Sequence, residues 1–263
     1  MEWEERATEP EGLFFELSHE RRLVILKILR VGPARLSDIA TRSRISAPEA
    51  SRHLGRLARH KLVGRGSDGA YGLTPYGRLV AGGLASFEFL SRHRDFLLTH
   101  DLSVVPESFV HRLAELSELE VGSSFTDTLR HVERVLSEAD EFAWFLSDQA
   151  MLTSAALVEA ARRSGVSVRA IVPESLLRPA ARPRAVYRSV EAVEIRVVPE
   201  VKVGLAMNER IAGVSFANLA GRIDQAEGLR GTSAPFRGWC RDLFVHYWNK
   251  GRPARLGAEP SRA

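Results

Sequence analysis

Ser46-Ala47-Pro48-Glu49 is the segment that most limits what this chain can become. A serine followed three residues later by glutamate is a capping box, and Pro48 falls in the first helical turn, where its missing N–H costs nothing. The helix it opens runs through SAPEASRHLGRLARHKLV, with Ala50, Leu54 and Leu57 on one face and Ser51, Arg52, Arg56 and Arg59 mostly on the others. Upstream, LSHERRLVILKILRVG carries Leu23, Leu26 and Leu29 at helical spacing, with Ser18 as N-cap and Val31-Gly32-Pro33 as the stop. Between the two, Leu36, Ile39 and Ala40 give a short apolar stripe. Downstream, VGRGSDGAYGLT predicts two short strands around the tip Gly66-Ser67-Asp68-Gly69. Three helices and a hairpin in this order predict a winged helix-turn-helix.

Charge supports that assignment. Residues 1–11 sum to −4, residues 12–80 carry 13 bases and five acids, and residues 81–263 sum to zero, which recovers the net +4. A basic block followed by a neutral one predicts a unit for double-stranded DNA joined to one that does not touch it. Ala47, Glu49, Ser51, Arg52 and Arg56 are the candidates for the major groove, because arginine bridges guanine with two hydrogen bonds and serine serves base or phosphate. Arg65 in the wing, with Arg42 or Arg44 before the helix, would reach phosphates. The plainer reading makes these arginines only the solvated face of a helical domain.

From Pro75 to Asp101 the sequence predicts one long connector helix, with Leu79, Val80, Leu84, Phe87 and Leu90 apolar and Gly82-Gly83 weakening its middle. Such a helix packs on the next domain or on its twin, and a homodimer is the expected state because helix-turn-helix proteins usually bind paired half-sites.

The remaining residues change period. FTDTLRHVERVLSEA predicts a helix, EFAWFLSD a strand, TSAALVEAARRSG a helix ending at Gly165, and VSVRAIVPE a second strand parallel to the first. Further strands are expected at VEIRVVP, VGLAMNE and RIAGVSF, and a last helix at FRGWCRDLFVHYWNK. The predicted class is therefore α+β overall: a winged helix over 12–74, a connector over 75–101, an α/β domain over 102–252 and a disordered tail over 253–263. Ligands of open α/β sheets sit beyond the carboxyl ends of the strands. Asp148 and Glu174 lie at those ends, Trp144 could wall the site, and Lys202 lies near a later strand; each is equally a cap or a core residue.

Several classes are excluded. The chain shows no run of about 18 uncharged apolar residues, so no membrane span is expected. Its opening, MEWEERATEPEG, has no apolar stretch and predicts no secretory signal. The single cysteine, Cys240, gives no internal disulfide and no metal cluster. No G-x-S-x-G, Walker loop, G-x-G-x-x-G or H-E-x-x-H occurs, so neither an enzyme nor a cofactor is expected. A cytoplasmic location follows from these readings.

Two resemblances carry function. SAPEASRHLGRLARHKLV, the Gly-rich wing and LTPYG resemble winged-helix regulators of the ArsR/MarR kind, in which the helix bearing Ser51-Arg52-His53-Leu54 reads DNA. Their metal-sensing cysteines have no counterpart here, and His53 and His60 read as structural or phosphate-facing. GLAMNERIAGVSFANLAGRID followed by FRGWCRDLFVHYW resembles the sensor domain of the archaeal FilR-like regulators, which is akin to the phospholipase-D-like sensing half of TrmB regulators. The residues concerned are Gly213, Gly221, Ile223 and Asp224, then Trp239, Asp242, Leu243, Phe244, Tyr247 and Trp248. The resemblance implies transcription control in an archaeal cytoplasm, with a small-molecule effector or a dimer contact served by the second domain. The alternative is a cryptic phospholipase-D-like nuclease; its chemistry needs His-x-Lys, and none of the eight histidines stands two residues before a lysine.

Overall fold

The computed structural model describes residues 10–116, 118–148, 165–177 and 193–254. The chain divides after Phe87 into two compact units.

The first unit is built on α1 (Pro10–Leu17), α2 (Glu20–Val31), α3 (Leu36–Ser43) and α4 (Ala47–Arg59), followed by β1 (Val63–Arg65), β2 (Tyr71–Leu73) and the start of α5 (Pro75–Arg92). Ser46 caps α4, its hydroxyl accepting from the Glu49 amide at 3.3 Å. The reciprocal half of the capping box is absent: the Glu49 carboxylate lies 3.7 Å from His53 Nε2 instead. His19, not Ser18, caps α2, its Nδ1 accepting from the Arg21 amide. Arg44, at φ 56°, makes the left-handed turn from α3 into α4, and Lys61, at φ 58°, the turn from α4 into β1. Ile25, Leu26, Ile39, Leu54, Leu57 and Leu62 are completely buried where the three helices meet. β1 and β2 pair antiparallel with Arg65 opposite Tyr71, and Ala34 adds a third rung by exchanging both backbone hydrogen bonds with Tyr71. Gly77 is obligatory here, since a Cβ would collide with the Leu62 carbonyl.

The helix predicted over 75–101 stops at Arg92. It is followed by α6 (Arg94–Thr99) and the short β3 (His100–Asp101), so the second unit begins inside the stretch read as a connector.

That second unit continues with α7 (Glu107–Val110), β4 (Glu120–Ser123), α8 (Phe125–Ser137), β5 (Phe142–Leu146), β6 (Ser167–Pro173), β7 (Val193–Val198), β8 (Val203–Asn208), β9 (Ala212–Asn218), β10 (Glu227–Gly231), α9 (Ala234–Lys250) and β11 (Arg252–Pro253). One sheet runs in the order β11-β7-β6-β5-β8-β9-β10-β4, with β3 paired to the end of β9. β5 and β6 are parallel, as their sequence order implied, β7 joins β6 in parallel, and the other pairings are antiparallel. The expected helix at 153–164 lies outside the described residues. Period-two alternation gives each face its own core. Phe142 and Leu146 join Trp239, Leu243 and Phe244 of α9 on one side, while Ala143 and Phe145 join Val135 and Leu136 of α8 on the other.

Candidate functional site

In the first unit the candidate surface is the outer side of α4. Ala47, Ser51, Arg52, Gly55 and Arg59 are exposed along it, while Ala50, His53, Leu54 and Leu57 face the core. Arg42 and Arg44 are also exposed. Among the described residues no carboxylate pairs with Arg42, Arg44, Arg52 or Arg59, so their charge is uncompensated. Glu49 is half-buried against His53. In the wing, exposed Arg65 donates to the Gly69 carbonyl at 3.3 Å and lies 5.7 Å from the centre of the Tyr71 ring.

Arg56 is directed elsewhere. Its Nε and one terminal nitrogen bind both carboxylate oxygens of Glu16, at 3.2 and 2.5 Å, and its guanidinium lies over the Phe15 ring. Glu16 is 1% exposed and also faces Arg22 at 3.1 Å and His60 at 3.5 Å. Burial alone would raise the Glu16 carboxyl; the Arg56 hydrogen bond and the charges of Arg22, Arg56 and His60 outweigh it and hold the group below its usual range. Arg56 therefore ties α1 to α4 in place of the groove contact expected of it. His53 is buried against His19 with ring centres 4.6 Å apart, and burial first, then that neighbour, lowers its pKa. Among the described residues no His, Cys, Asp and Glu are grouped as metal ligands.

The second unit contains a recess between α8 and the sheet. Its cavity is about 60 Å³ and its floor is formed where Gly204, Gly213 and Gly228 stand on the α8 side of three adjacent strands. Thr128, His131, Ser147, Ser215, Gln225 and Arg230 supply its polar groups. His131 donates from Nε2 to the Ala206 carbonyl at 3.1 Å, and burial pushes its pKa down to about 4, so the ring is neutral near pH 7. Arg230 donates to the Thr128 hydroxyl at 2.8 Å and passes over Gly122, where a Cβ would collide with its guanidinium. Burial lowers the Arg230 pKa and Asp127 acts against that. His131 and Arg230 also border a wider outer hollow of about 610 Å³ that holds Asp127, Arg130 and Arg134.

The four ligand candidates read from the sequence stand outside this recess. Trp144 points to the α9 side, stacked on Phe244 at 4.8 Å, because its neighbours Ala143 and Phe145 take the α8 side. Half-buried Asp148 has one carboxylate oxygen without a partner among the described residues, and burial raises its pKa. Glu174 is exposed and paired with Arg252 at 3.0 Å, and Lys202 is paired with Glu200 at 3.2 Å. Their chain neighbours Leu146 and Ser147, before Asp148, and Val172, near Glu174, do line the recess. His131 and Arg230 carry no motif in the sequence; the legible signal was a glycine within each of the strands VGLAMNE and RIAGVSF, Gly204 and Gly213, which marks close approach of another group.

A basic three-helix unit with a hairpin wing, followed by a separate mixed-sheet unit with its own recess, defines the class of winged-helix regulatory proteins. Residues 10–95 match the family model of the HVO_A0261 N-terminal domain, and residues 125–250 match that of the methanogenesis regulatory protein FilR1, middle domain. The two matched stretches thus place one region of the chain in the HVO_A0261 N-terminal domain family and the other in the FilR1 middle-domain family, the pairing of an archaeal FilR-like regulator. No curated protein matches the sequence. Among solved structures it is similar to TrmBL2, described as an archaeal chromatin protein with a novel mode of DNA binding, at 15% identity and a TM-score of 0.42 over 88% of this chain and 92% of that one. An IclR homolog from Microbacterium sp. strain HM58-2 matches at 14% identity and a TM-score of 0.26, over 88% and 94%. A riboflavin-derivative dimethyltransferase, RosA from Streptomyces davawensis, matches at 15% and 0.25, over 70% and 62%. TM-scores this low carry no argument about this chain. The phospholipase-D-like resemblance of the second unit draws no support from these matches.

Proposed function

We propose that this protein is a cytoplasmic, homodimeric transcription regulator that reads double-stranded DNA with α4 and senses a small effector in its second unit. The observation that carries the DNA reading is the outer stripe of α4, where Arg52 and Arg59 are exposed without a carboxylate partner among the described residues and Arg42 and Arg44 flank its start. A helix presented this way fits the major groove, with Ala47, Ser51 and Arg52 toward base edges and the other arginines toward phosphates. Leu79, Phe87 and Leu90 are exposed apolar side chains on α5, which supports pairing with a second copy. The recess under α8 supports sensing, and the absence of His-x-Lys argues against the nuclease alternative. No helix among the described residues is long and apolar enough to cross a membrane.

The test is selection of preferred duplexes by the full chain, followed by anisotropy titration of wild type and variants. Arg52→Ala weakens the selected site by about 1–3 kcal/mol relative to random duplex. Arg59→Ala weakens both alike. Equal losses on specific and random DNA from Arg52→Ala would displace the reading face from α4.

A further inference from the structure

The recess under α8 has a chemistry more specific than its shape. Two glycines, Gly213 in its lining and Gly122 beside it, serve the polar groups themselves. A Cβ at Gly213 would stand 2.6 Å from His131 Nε2, and one at Gly122 would collide with the Arg230 guanidinium, so both side chains lie flat over the sheet because glycine is beneath them. Arg230 presents five N–H donors, yet its described partner is the Thr128 hydroxyl, and no carboxylate stands within ion-pair distance among the described residues. Asp127 acts on it from farther off, its own carboxylate held by Ser124 at 2.7 Å and Arg130 at 3.8 Å. A half-buried guanidinium in that state is a receptor for an anion.

His131 adds a second, different demand. It is nine-tenths buried, and its one ring proton is committed to the Ala206 carbonyl, which leaves Nδ1 as a lone-pair acceptor with no partner among the described residues. Such a nitrogen takes a donor, an O–H or N–H, and not an anion. Among the described residues no aspartate or glutamate lines the recess itself, the acids Glu118, Glu120 and Asp127 standing in the adjoining outer hollow. An ammonium group inside would therefore meet Arg230 without a paired carboxylate, and an amino acid is disfavoured. At about 10–15 Å³ per water, a 60 Å³ cavity holds roughly four to six water-sized groups.

We propose that this recess binds a small 2-hydroxycarboxylate, of about the size of lactate, with its carboxylate on Arg230 and its hydroxyl donating to Nδ1 of His131. The proposal rests on the reading of the second unit as a sensor and gives that sensor its ligand class. Thr128 holds the guanidinium in place from α8, and Ser215 and Gln225 take the remaining polar edge.

The experiment is calorimetric titration of the full chain with lactate, lactamide, alanine and inorganic phosphate, with duplex binding measured on the same preparation. Lactate saturates the protein and raises its Tm, whereas lactamide and alanine do neither. Arg230→Gln, which keeps a side chain able to reach Thr128, weakens lactate roughly tenfold to a hundredfold. Gly204→Ala, whose new methyl would stand 3.2 Å from Ile223, weakens it with Arg230 intact. No saturation by lactate, or equal binding in Arg230→Gln, overturns the proposal, and tighter binding of phosphate than lactate overturns the hydroxyacid assignment. DNA binding by a protein indifferent to lactate overturns the pocket and spares the regulator. Lactate binding by a protein indifferent to DNA supports the pocket and overturns the regulator.

Discussion

Replacing Glu16 by glutamine tests whether the first unit is organised around one buried carboxylate. The isosteric amide keeps the shape but strips the charge that faces Arg22, which is 3% exposed, and Arg56. Leaving a buried charge without its counter-ion costs about 3–5 kcal/mol. Arg22 retains bonds to the Glu16 and Phe15 carbonyls at 2.6 and 2.8 Å, and Arg56 can turn to solvent, so a loss near the lower end, about 3 kcal/mol, is expected. The deficit also has a defined pH dependence. The folded-state carboxyl is held below its usual 4.5, so its contribution is complete above that value and is lost as pH falls through the depressed folded value. The gap between wild type and variant is therefore full near neutrality and narrows below 4.5. Because the chain has two units, the assay is urea titration read by hydrogen exchange in peptides covering α2 and α4, which reports the first unit alone. A neutral-pH deficit under about 1 kcal/mol, typical of an exposed pair, or a deficit unchanged by acid, would refute the reasoning.

Three further outcomes follow from the same geometry. Duplex affinity falls with salt by roughly 0.9 log units per log unit for each phosphate met, so phosphate contact by Arg42, Arg44, Arg59 and Arg65 gives a slope of about −3.6 per reader; a flat plot removes the interface. Gly55→Ala and Gly77→Ala move exchange protection in opposite directions. The first adds a methyl with no atom within 4 Å and gains up to about 1 kcal/mol of helix stability, whereas the second drives a methyl into the Leu62 carbonyl. Replacing Gly82 and Gly83, which also have open space around them, stiffens α5 without altering the reading face. Duplex affinity without lactate is then unchanged while any lactate response is blunted, and an undiminished response shows that no bend at these glycines carries the signal.

What could be read in advance was what local pattern determines. The Ser46 cap, the Ala50-Leu54-Leu57 stripe and the hairpin tip are all specified within about one turn of chain, and they fell where the spacing put them. Arg56 looked like its neighbours because its partner is 40 residues away in sequence. A helix stripe says which side is polar, not which arginine finds a buried acid. β10 went unread because EGLRG carries two glycines and so has little strand propensity. With it went Arg230, which stands opposite Glu120 of β4 and reaches its guanidinium over Gly122, two residues along that strand. The strand ends were a sound general place to look for a ligand, and the recess does reach Leu146, Ser147 and Val172 at the ends of β5 and β6. Beyond β5 the sheet turns antiparallel, and the recess extends under α8 over that half, where its polar groups His131 and Arg230 stand. The break at His93 had no glycine or proline to announce it.

Cys240 lies in the middle of α9 with no exposed surface, and burial pushes its thiol well above the ordinary range. It is the chain's single sulfhydryl, so the native protein is inert to maleimides and other thiol dyes for as long as it stays folded. A cysteine introduced at exposed Ser51 or Leu79 would then be the one reactive handle on the molecule. Fluorophores or spin labels could be attached to the unmodified background at a chosen point, and the same silent residue would become reactive only on unfolding, giving a covalent clock for the opening of the second unit.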